Sequence, residues 1–285
     1  MIDFIRIGHA ASPHGTWIAG WVKEQLLHEN PSSGIELVPV TQSLTDFGHR
    51  FAISTALNSV DLVVVDGSFL PTVDDEGVVV AAVCDRADPR HCIVGDGDAI
   101  TVWHPSLASM IRVTDPLVRV DVDTTLIDMN AKLSSVTQVA QQSQMFPLHA
   151  VSRVMGQRLG QTPIEAEDIL SVSGQGTVLV YTESAKKELG TLVFEHLNSV
   201  DTRREITVER YFKAQINEYF HQSMCCYATG SDRFLYLFVT LVVDNVSYRT
   251  RSGAHISALS SIVEQAIADL ENQIGAKLRV GIAGN

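Results

Sequence analysis

Residues 4–40, FIRIGHAASPHGTWIAGWVKEQLLHENPSSGIELVPV, decide the fold because they place a helix between two strands. The apolar segments FIRIG and GIELVPV have the character of buried strands. Between them Trp17 and Leu26 recur at helical spacing, Ser12 is placed to cap the helix, and Pro31 to end it. The stretch therefore predicts a strand–helix–strand unit of the kind found in α/β proteins.

The alternation continues beyond this unit. A short helix is predicted over 50–59, and VDLVVVDG at 60–67 is a continuous apolar strand, which favours a parallel sheet covered on both faces. The pattern restarts near residue 99, with helices predicted over 125–144 and 149–160. A long helix over 202–220, strands at hairpin spacing and a closing amphipathic helix follow. We therefore expect two α/β lobes and a small α+β domain, with these boundaries: domain 1 at 1–96 and 173–192, domain 2 at 97–172, and domain 3 at 193–285.

Composition narrows the class of protein. The 285 residues are 45% hydrophobic and carry a formal net charge of −12, which disfavours nucleic acid and anionic membranes as partners. The chain has none of the uninterrupted runs of about 20 apolar residues that a membrane span needs, and its first residues do not resemble a signal peptide. With only four cysteines, we expect a cytoplasmic protein with reduced thiols.

Six stretches resemble the porphobilinogen deaminases, also called hydroxymethylbilane synthases. IRIGHAASPHGTWIAGWVKEQL resembles the motif LRIATRxSPLALWQAxxVxxxL, and NSVDLVVVDGSFLPT resembles xxADIAVHSMKDVPx. IELVPV, CDRADPRHCIVG, LSVSGQGTVLV and HLNSVDTRREITVERYF match further motifs of that family, in the same order. The resemblance implies two lobes of the type II periplasmic-binding-protein topology around a cleft, a third domain, and a monomer. It also implies that a small-molecule ligand binds at the mouth of the cleft.

The chain departs from the family where the reaction takes place. The family joins four pyrrole units onto a dipyrromethane cofactor held by a cysteine in a loop similar to LEGGCQVPIGxYA. Here that position holds Phe220 or His221, so we expect no dipyrromethane cofactor, although Cys225 or Cys226 remains an alternative anchor. The aspartate of SMKDVP, which stabilises positive charge on the pyrroles, is replaced by Phe69.

The arginines that hold the substrate's carboxylates in the family are also replaced. His9 and Ala10 occupy the first position, Ala108 and Ser109 the second pair, and Val122–Asp128 the third motif. Acidic side chains at Asp121 and Asp123 would repel an acidic substrate and leave its charge unpaired in the cleft. We therefore expect the family's polymerisation to be lost and the cleft to be reused.

The leading hypothesis is a porphobilinogen deaminase-like protein, an enzyme or a binder, for a small pyrrolic or carboxylated ligand. A non-catalytic binding protein and an authentic hydroxymethylbilane synthase with a displaced anchor are the alternatives. The candidate catalytic residues are Asp66, His9, His104 and His221. The candidate ligand-binding residues are Ser12, His14, Ser68, Trp103, Ser106, Asp121, Asp123 and Gln175.

No metal site is expected, because none of the histidines and acids has the close helical spacing of known zinc motifs. Cys84 and Cys92 are interpreted as small apolar side chains of the core, and the same interpretation is favoured for the pair at 225 and 226.

Overall fold

The computed structural model describes residues 4–41, 51–69, 76–94, 99–123, 142–147, 162–165 and 168–279. Within these residues the framework consists of two five-stranded sheets and one three-stranded sheet.

The first sheet builds one α/β lobe. Its strands are β1 (Phe4–Ala10), β2 (Gly34–Val40), β3 (Leu62–Asp66), β4 (Val78–Val83) and β10 (Val178–Glu183), in the spatial order β2-β1-β3-β10-β4. All neighbours are parallel except β10, which runs antiparallel to β3 and β4. Helices α1 (Pro13–Glu29) and α4 (Lys187–Leu197) pack with one set of the sheet's apolar side chains. The short helix α2 (Ala52–Leu57) packs in a second cluster, which contains other apolar side chains of the same sheet.

The second sheet repeats this topology. Its strands are β5 (His91–Val94), β6 (Ala99–Val102), β7 (Arg119–Val122), β8 (Gln142–Pro147) and β9 (Thr162–Ile164), in the order β7-β6-β8-β5-β9. Here β5 is the antiparallel member, between β8 and β9. Helix α3 (Pro105–Thr114) follows β6. Two lobes of the type II periplasmic-binding-protein topology confirm the predicted α/β fold class, with one antiparallel strand in each sheet that the sequence did not indicate.

The third sheet is antiparallel throughout. It consists of β11 (Met224–Gly230), β12 (Phe234–Val243) and β13 (Val246–His255), and its apolar side chains pack with helices α5 (Val200–Gln215) and α6 (Leu259–Ile274). The helix predicted over 202–220 ends early, at Gln215. His221 Nε2 donates to the carbonyl oxygens of Lys213 and Ile216, at 2.9 and 3.1 Å, and so satisfies carbonyls that a helix end leaves unpaired.

Two other sequence predictions meet the structure in part. The helix predicted over 125–144 is wrong for its last residues, because Gln142–Pro147 is a strand that pairs with β5 and β6. Residues 125–141 and the helix predicted over 149–160 lie outside the described residues.

The predicted domain boundaries stay a prediction, although two contacts bear on them. Strand β5, assigned to domain 1 from the sequence, pairs within the second sheet. Val193 and Leu197, assigned to domain 3, pack with the apolar side chains of α1 and the first sheet.

A buried carboxylate joins the lobes to the third domain. Glu209 on α5 is fully buried and accepts from Arg86 Nη1 at 2.6 Å. It also accepts from the backbone N–H of Gly174 and of Ala228, both at 2.7 Å, and from Ser173 Oγ at 3.3 Å. The charge is thus met by four donors from three segments of the chain, which fixes the crossover between the lobes against β11.

Candidate functional site

A histidine and an aspartate form a buried pair at the start of the first lobe. His14, the second residue of α1, places Nε2 2.8 Å from Oδ2 of Asp66, which ends β3. Both side chains are fully buried, and Asp66 Oδ1 accepts the backbone N–H of Ser68 at 2.9 Å. In the porphobilinogen deaminase motifs that these stretches resemble, leucine stands at the position of His14 and serine at the position of Asp66. The pair therefore replaces an apolar residue and a small residue together.

Ser12 and His9 lie close to this pair in the chain and form local hydrogen bonds. Ser12 is the N-cap of α1, as expected, and accepts the N–H of Gly15 at 3.0 Å. His9 is almost fully buried near the end of β1, where Nδ1 lies 2.8 Å from the carbonyl oxygen of Ala10. Since both groups already have local partners, they support the backbone around the His14–Asp66 pair.

An aromatic contact crosses between the lobes. The ring of Phe69, just after β3, lies 5.8 Å from the indole of Trp103, just after β6, at an interplanar angle of 60°. One apolar cluster includes Val65 of the first sheet, Trp103 and Leu107 of the second lobe, and Phe69 packed against it. The lobes are therefore in contact where the family motif places its catalytic aspartate.

Two polar atoms beside this contact have no hydrogen-bond partner in the described structure. They are Oγ of Ser68 and Nε1 of Trp103. The residues are 7% and 1% exposed, so water does not readily replace the missing partners. Ser68 precedes Phe69 in the chain and Nε1 belongs to the Trp103 indole, so the two atoms come from the two lobes that meet at this ring contact.

His104, Ser106 and His221 form a second group, at the N-terminus of α3. His104 is the N-cap, and its Nδ1 accepts the N–H of Ser106 at 3.2 Å, which leaves the proton of the neutral ring on Nε2. Ser106 Oγ donates to the carbonyl oxygen of His221 at 3.2 Å. Trp103 packs edge-on against His104, with centroids 5.4 Å apart, and so connects this group to the interlobe contact.

Burial keeps both histidines of this group uncharged near neutral pH. Burial, together with the positive charge of Lys213 and a smaller effect of His91, lowers the pKa of His104 to about 3. Burial also lowers the pKa of His221, again with a contribution from Lys213. At neutral pH both rings therefore act as hydrogen-bonding groups rather than as cations.

The three remaining candidate residues are Gln175, Asp121 and Asp123. Gln175 is fully buried, and its Nε2 donates to the carbonyl oxygen of Pro89 at 2.6 Å, which ties the crossover to the start of β5. Asp121 is 44% exposed and lies 3.3 Å from Arg119 on its own strand. The backbone N–H of Asp123 donates to Val102 at 2.9 Å, which places this residue next to the start of the Trp103 segment.

All four cysteines are buried, and none of them forms a disulfide. Cys225 and Cys226 begin β11, where burial raises the pKa of Cys225 well above its usual value and that of Cys226 to about 12. A thiol held in its protonated form is a poor nucleophile. The position favours the interpretation of these residues as apolar side chains of the core.

The described residues contain no group of three or more His, Cys, Asp or Glu side chains arranged to hold a metal ion. Nor does any helix in the described part of the chain have the length and apolar character to cross a membrane.

Sequence reasoning missed two features of this site. It treated Phe69 only as the loss of an acid, whereas the ring forms the contact between the lobes. It also named His14 and Asp66 separately and did not pair them, because 52 residues separate them and only the packing of α1 on β3 brings them together.

Comparison with known sequences supports a distant relationship to the porphobilinogen deaminases. The porphobilinogen deaminase of Desulfitobacterium hafniense (strain DSM 10664 / DCB-2) is 26% identical over 229 residues, which cover 72% of this chain and 74% of the relative. That of Chloroherpeton thalassium (strain ATCC 35110 / GB-78) is 25% identical over 226 residues, 72% of each chain. No protein-family model matches the sequence.

Among solved structures, CbnR, a LysR family transcriptional regulator, aligns with a TM-score of 0.43 and 14% identity. The alignment covers 68% of this chain and 68% of CbnR.

Proposed function

We propose that this protein is a porphobilinogen deaminase-like binding protein that holds a small planar ligand, pyrrolic or carboxylated, between its two lobes without a dipyrromethane cofactor. The observation that carries the proposal is the contact of Phe69 with Trp103, flanked by the unpartnered Ser68 Oγ and Trp103 Nε1. The resemblance to the deaminases supplies the ligand class.

Buried polar atoms without partners are costly to keep. Leaving such a group unsatisfied costs about 1–3 kcal/mol, and native proteins retain few of them. A ligand that accepts from the indole N–H and from the serine hydroxyl would satisfy both atoms. A carboxylate oxygen or a ring carbonyl has this property, and the flat faces of Phe69 and Trp103 favour a planar molecule.

The proposal favours binding over pyrrole polymerisation for a chemical reason. Polymerisation builds positive charge on pyrrole nitrogens, which a carboxylate stabilises and a phenyl ring at Phe69 stabilises far less. The carboxylate of Asp66 is fully buried against His14. The neutral His104 is a weak acid and a weak base at neutral pH, since its pKa is lowered to about 3.

The experiment is a calorimetric titration with pyrrole-2-carboxylate. The wild-type protein is expected to bind with a single saturable site. Ser68→Ala and Trp103→Phe each remove one donor while keeping an apolar surface, and each is expected to weaken binding about 5- to 10-fold, the value of one hydrogen bond.

Ser252→Ala is the matched control. Ser252 is 7% exposed, as Ser68 is, and its Oγ also has no partner in the described structure, but it lies on β13 in the third sheet. The Ser252→Ala variant is expected to bind pyrrole-2-carboxylate with the same affinity as the wild type. Equal loss in all three variants, or no binding by the wild type, would overturn the proposal.

A further inference from the structure

A pocket of about 300 Å³ lies against strands β12 and β13 of the third sheet, beside the segment that precedes the crossover. Its walls include Phe238 and Thr240 of β12, Arg249 and Arg251 of β13, and Leu170 of that segment. Phe238 pairs with Arg251 and Thr240 with Arg249, so these four side chains share one face of the sheet. The volume is at the lower end of the range of about 300–1,000 Å³ that small-molecule sites occupy.

This pocket is separate from the proposed cleft. The side chains that alternate with Phe238 along β12, Leu237 among them, pack with α5 and α6, so the pocket lies on the other face of the sheet. Neither Phe69 nor Trp103, which form the contact between the lobes, is among the described residues that line it. A ligand in this pocket would therefore occupy a second site.

The charge of the pocket is unusual for an acidic chain. The chain has a formal net charge of −12, yet the described lining residues include two arginines and no aspartate or glutamate. Elsewhere arginines form ion pairs with carboxylates, as do Arg6, Arg86, Arg90, Arg119, Arg204 and Arg279. Within the described part of the chain, Arg251 has no such carboxylate partner. The pocket thus favours an anion.

The guanidinium of Arg251 is positioned by aromatic rings. Its central carbon lies 4.6 Å from the centroid of the Tyr236 ring and 5.2 Å from that of Phe238. A Cβ atom at Gly253, the cross-strand partner of Tyr236, would overlap the tyrosine ring, so the glycine lets this ring lie across β13. A cation–π contact uses the charge of the guanidinium and leaves its N–H donors for an anion.

The other walls add a polar and an apolar surface. Arg249 Nη2 donates to the carbonyl oxygen of Asp168 at 3.1 Å, which ties β13 to the segment before the crossover. The hydroxyl of Thr240, opposite Arg249, is a further group that can donate to an anion. Leu170, which is 7% exposed, and Phe238 belong to one apolar cluster and offer a surface for a flat ring.

We propose that this pocket binds an aromatic carboxylate of two or more fused rings. The carboxylate forms a bidentate pair with the guanidinium of Arg251, a geometry that arginine favours. The ring system packs on Phe238 and Leu170. A single-ring acid fills only part of a pocket of this size and is expected to bind less tightly. The site requires neither the proposed cleft nor any reaction in it.

The test is a calorimetric titration with 2-naphthoate. The wild-type protein is expected to bind it with a saturable site, about 10-fold more tightly than it binds the uncharged analogue 2-naphthamide or inorganic phosphate, which lacks a flat ring. Arg251→Gln removes the guanidinium at an exposed position and is expected to weaken binding of 2-naphthoate about 10-fold. Thermal unfolding of this variant is expected to match that of the wild type.

Arg204→Gln is the matched control, because it removes the same charge from α5, where Arg204 pairs with Asp201 outside the pocket. This variant and Trp103→Phe, which alters the proposed cleft, are both expected to bind 2-naphthoate as the wild type does. Equal weakening in Arg251→Gln and Arg204→Gln, or weakening in Trp103→Phe alone, would overturn the proposal. So would equal binding of 2-naphthamide or phosphate, or the absence of saturable binding by the wild type.

Discussion

The phenyl ring of Phe69 and the indole of Trp103 meet across the two lobes with their centroids 5.8 Å apart. Trp103 directly follows β6, and Phe69 ends the short 3-10 turn that follows β3. The contact therefore joins the two lobes beside the proposed ligand site.

Removal of the ring should loosen this closure. Because Phe69 is half-buried, Phe69→Ala is expected to lower the free energy of unfolding by about 2 kcal/mol, less than the 3–5 kcal/mol typical of a fully buried phenylalanine. Urea unfolding measures the change. The control is Phe4→Ala, at a side chain that is 55% exposed, for which a loss below about 1 kcal/mol is expected. Equal losses in the two variants would contradict a role for Phe69 in joining the lobes.

The unpartnered hydroxyl of Ser68 should cost stability in the ligand-free protein. Ser68→Ala removes a buried polar atom without breaking a side-chain hydrogen bond, so the free energy of unfolding is expected to rise by about 1 kcal/mol. Ser252→Ala should show a similar rise for the same reason. Thermal unfolding without ligand tests this, and a clear loss of stability in Ser68→Ala would show that the hydroxyl already has a partner.

The His14–Asp66 pair should behave as a coupled unit. His14→Leu and Asp66→Ser each leave one buried polar partner behind, and each is expected to lower the free energy of unfolding by about 3 kcal/mol. The double variant restores the residues of the family motif and should lose less than the sum, with a coupling energy above about 1 kcal/mol. The same cycle on Arg6 and Asp61, 3.6 Å apart and with Arg6 46% exposed, should give less than about 1 kcal/mol. Additive losses at His14 and Asp66 would contradict a direct interaction.

Glu205 should make stability depend on pH in a defined window. Burial raises its pKa from 4.5 to about 6, so between these values the folded protein binds more protons than the unfolded chain. The ionised side chain therefore destabilises the fold above about pH 6, and this penalty disappears below about pH 4.5. Glu205→Gln is expected to be more stable than the wild type at pH 8, by at most about 2 kcal/mol. The urea-unfolding difference should vanish at low pH, and a difference that is the same at all pH values would contradict this account.

Local patterns were sufficient for much of the fold. Ser12 signalled the start of α1, and the apolar run VDLVVVDG signalled β3, because these features act through neighbouring residues. Non-local contacts were not visible in the same way. The strand Gln142–Pro147 has little apolar patterning of its own and is defined by its pairing with β5 and β6. The end of the long helix at Gln215 likewise depends on His221, which lies outside the helix.

The residue types of the candidate site were predictable, but their grouping was not. His104, Ser106 and Trp103 were predicted as separate site residues, and the structure holds them in contact. His221 joins them through its backbone carbonyl, a contact that carries no side-chain signal. Gln175 was predicted to bind a ligand, but its amide donates hydrogen bonds that join the crossover to the segment just before β5. This contact depends on the path of the chain and not on the type of residue.

We propose that the cleft binds a pyrrolic ligand reversibly and does not polymerise it. The most direct measurement is a titration of the purified protein with porphobilinogen, followed by intact mass and by ammonia release in the same sample. Saturable binding is expected, with an intact mass equal to that of the sequence before and after titration, and with no release of ammonia. A mass that carries a dipyrromethane or grows in pyrrole units, with release of ammonia, would contradict it and establish a deaminase.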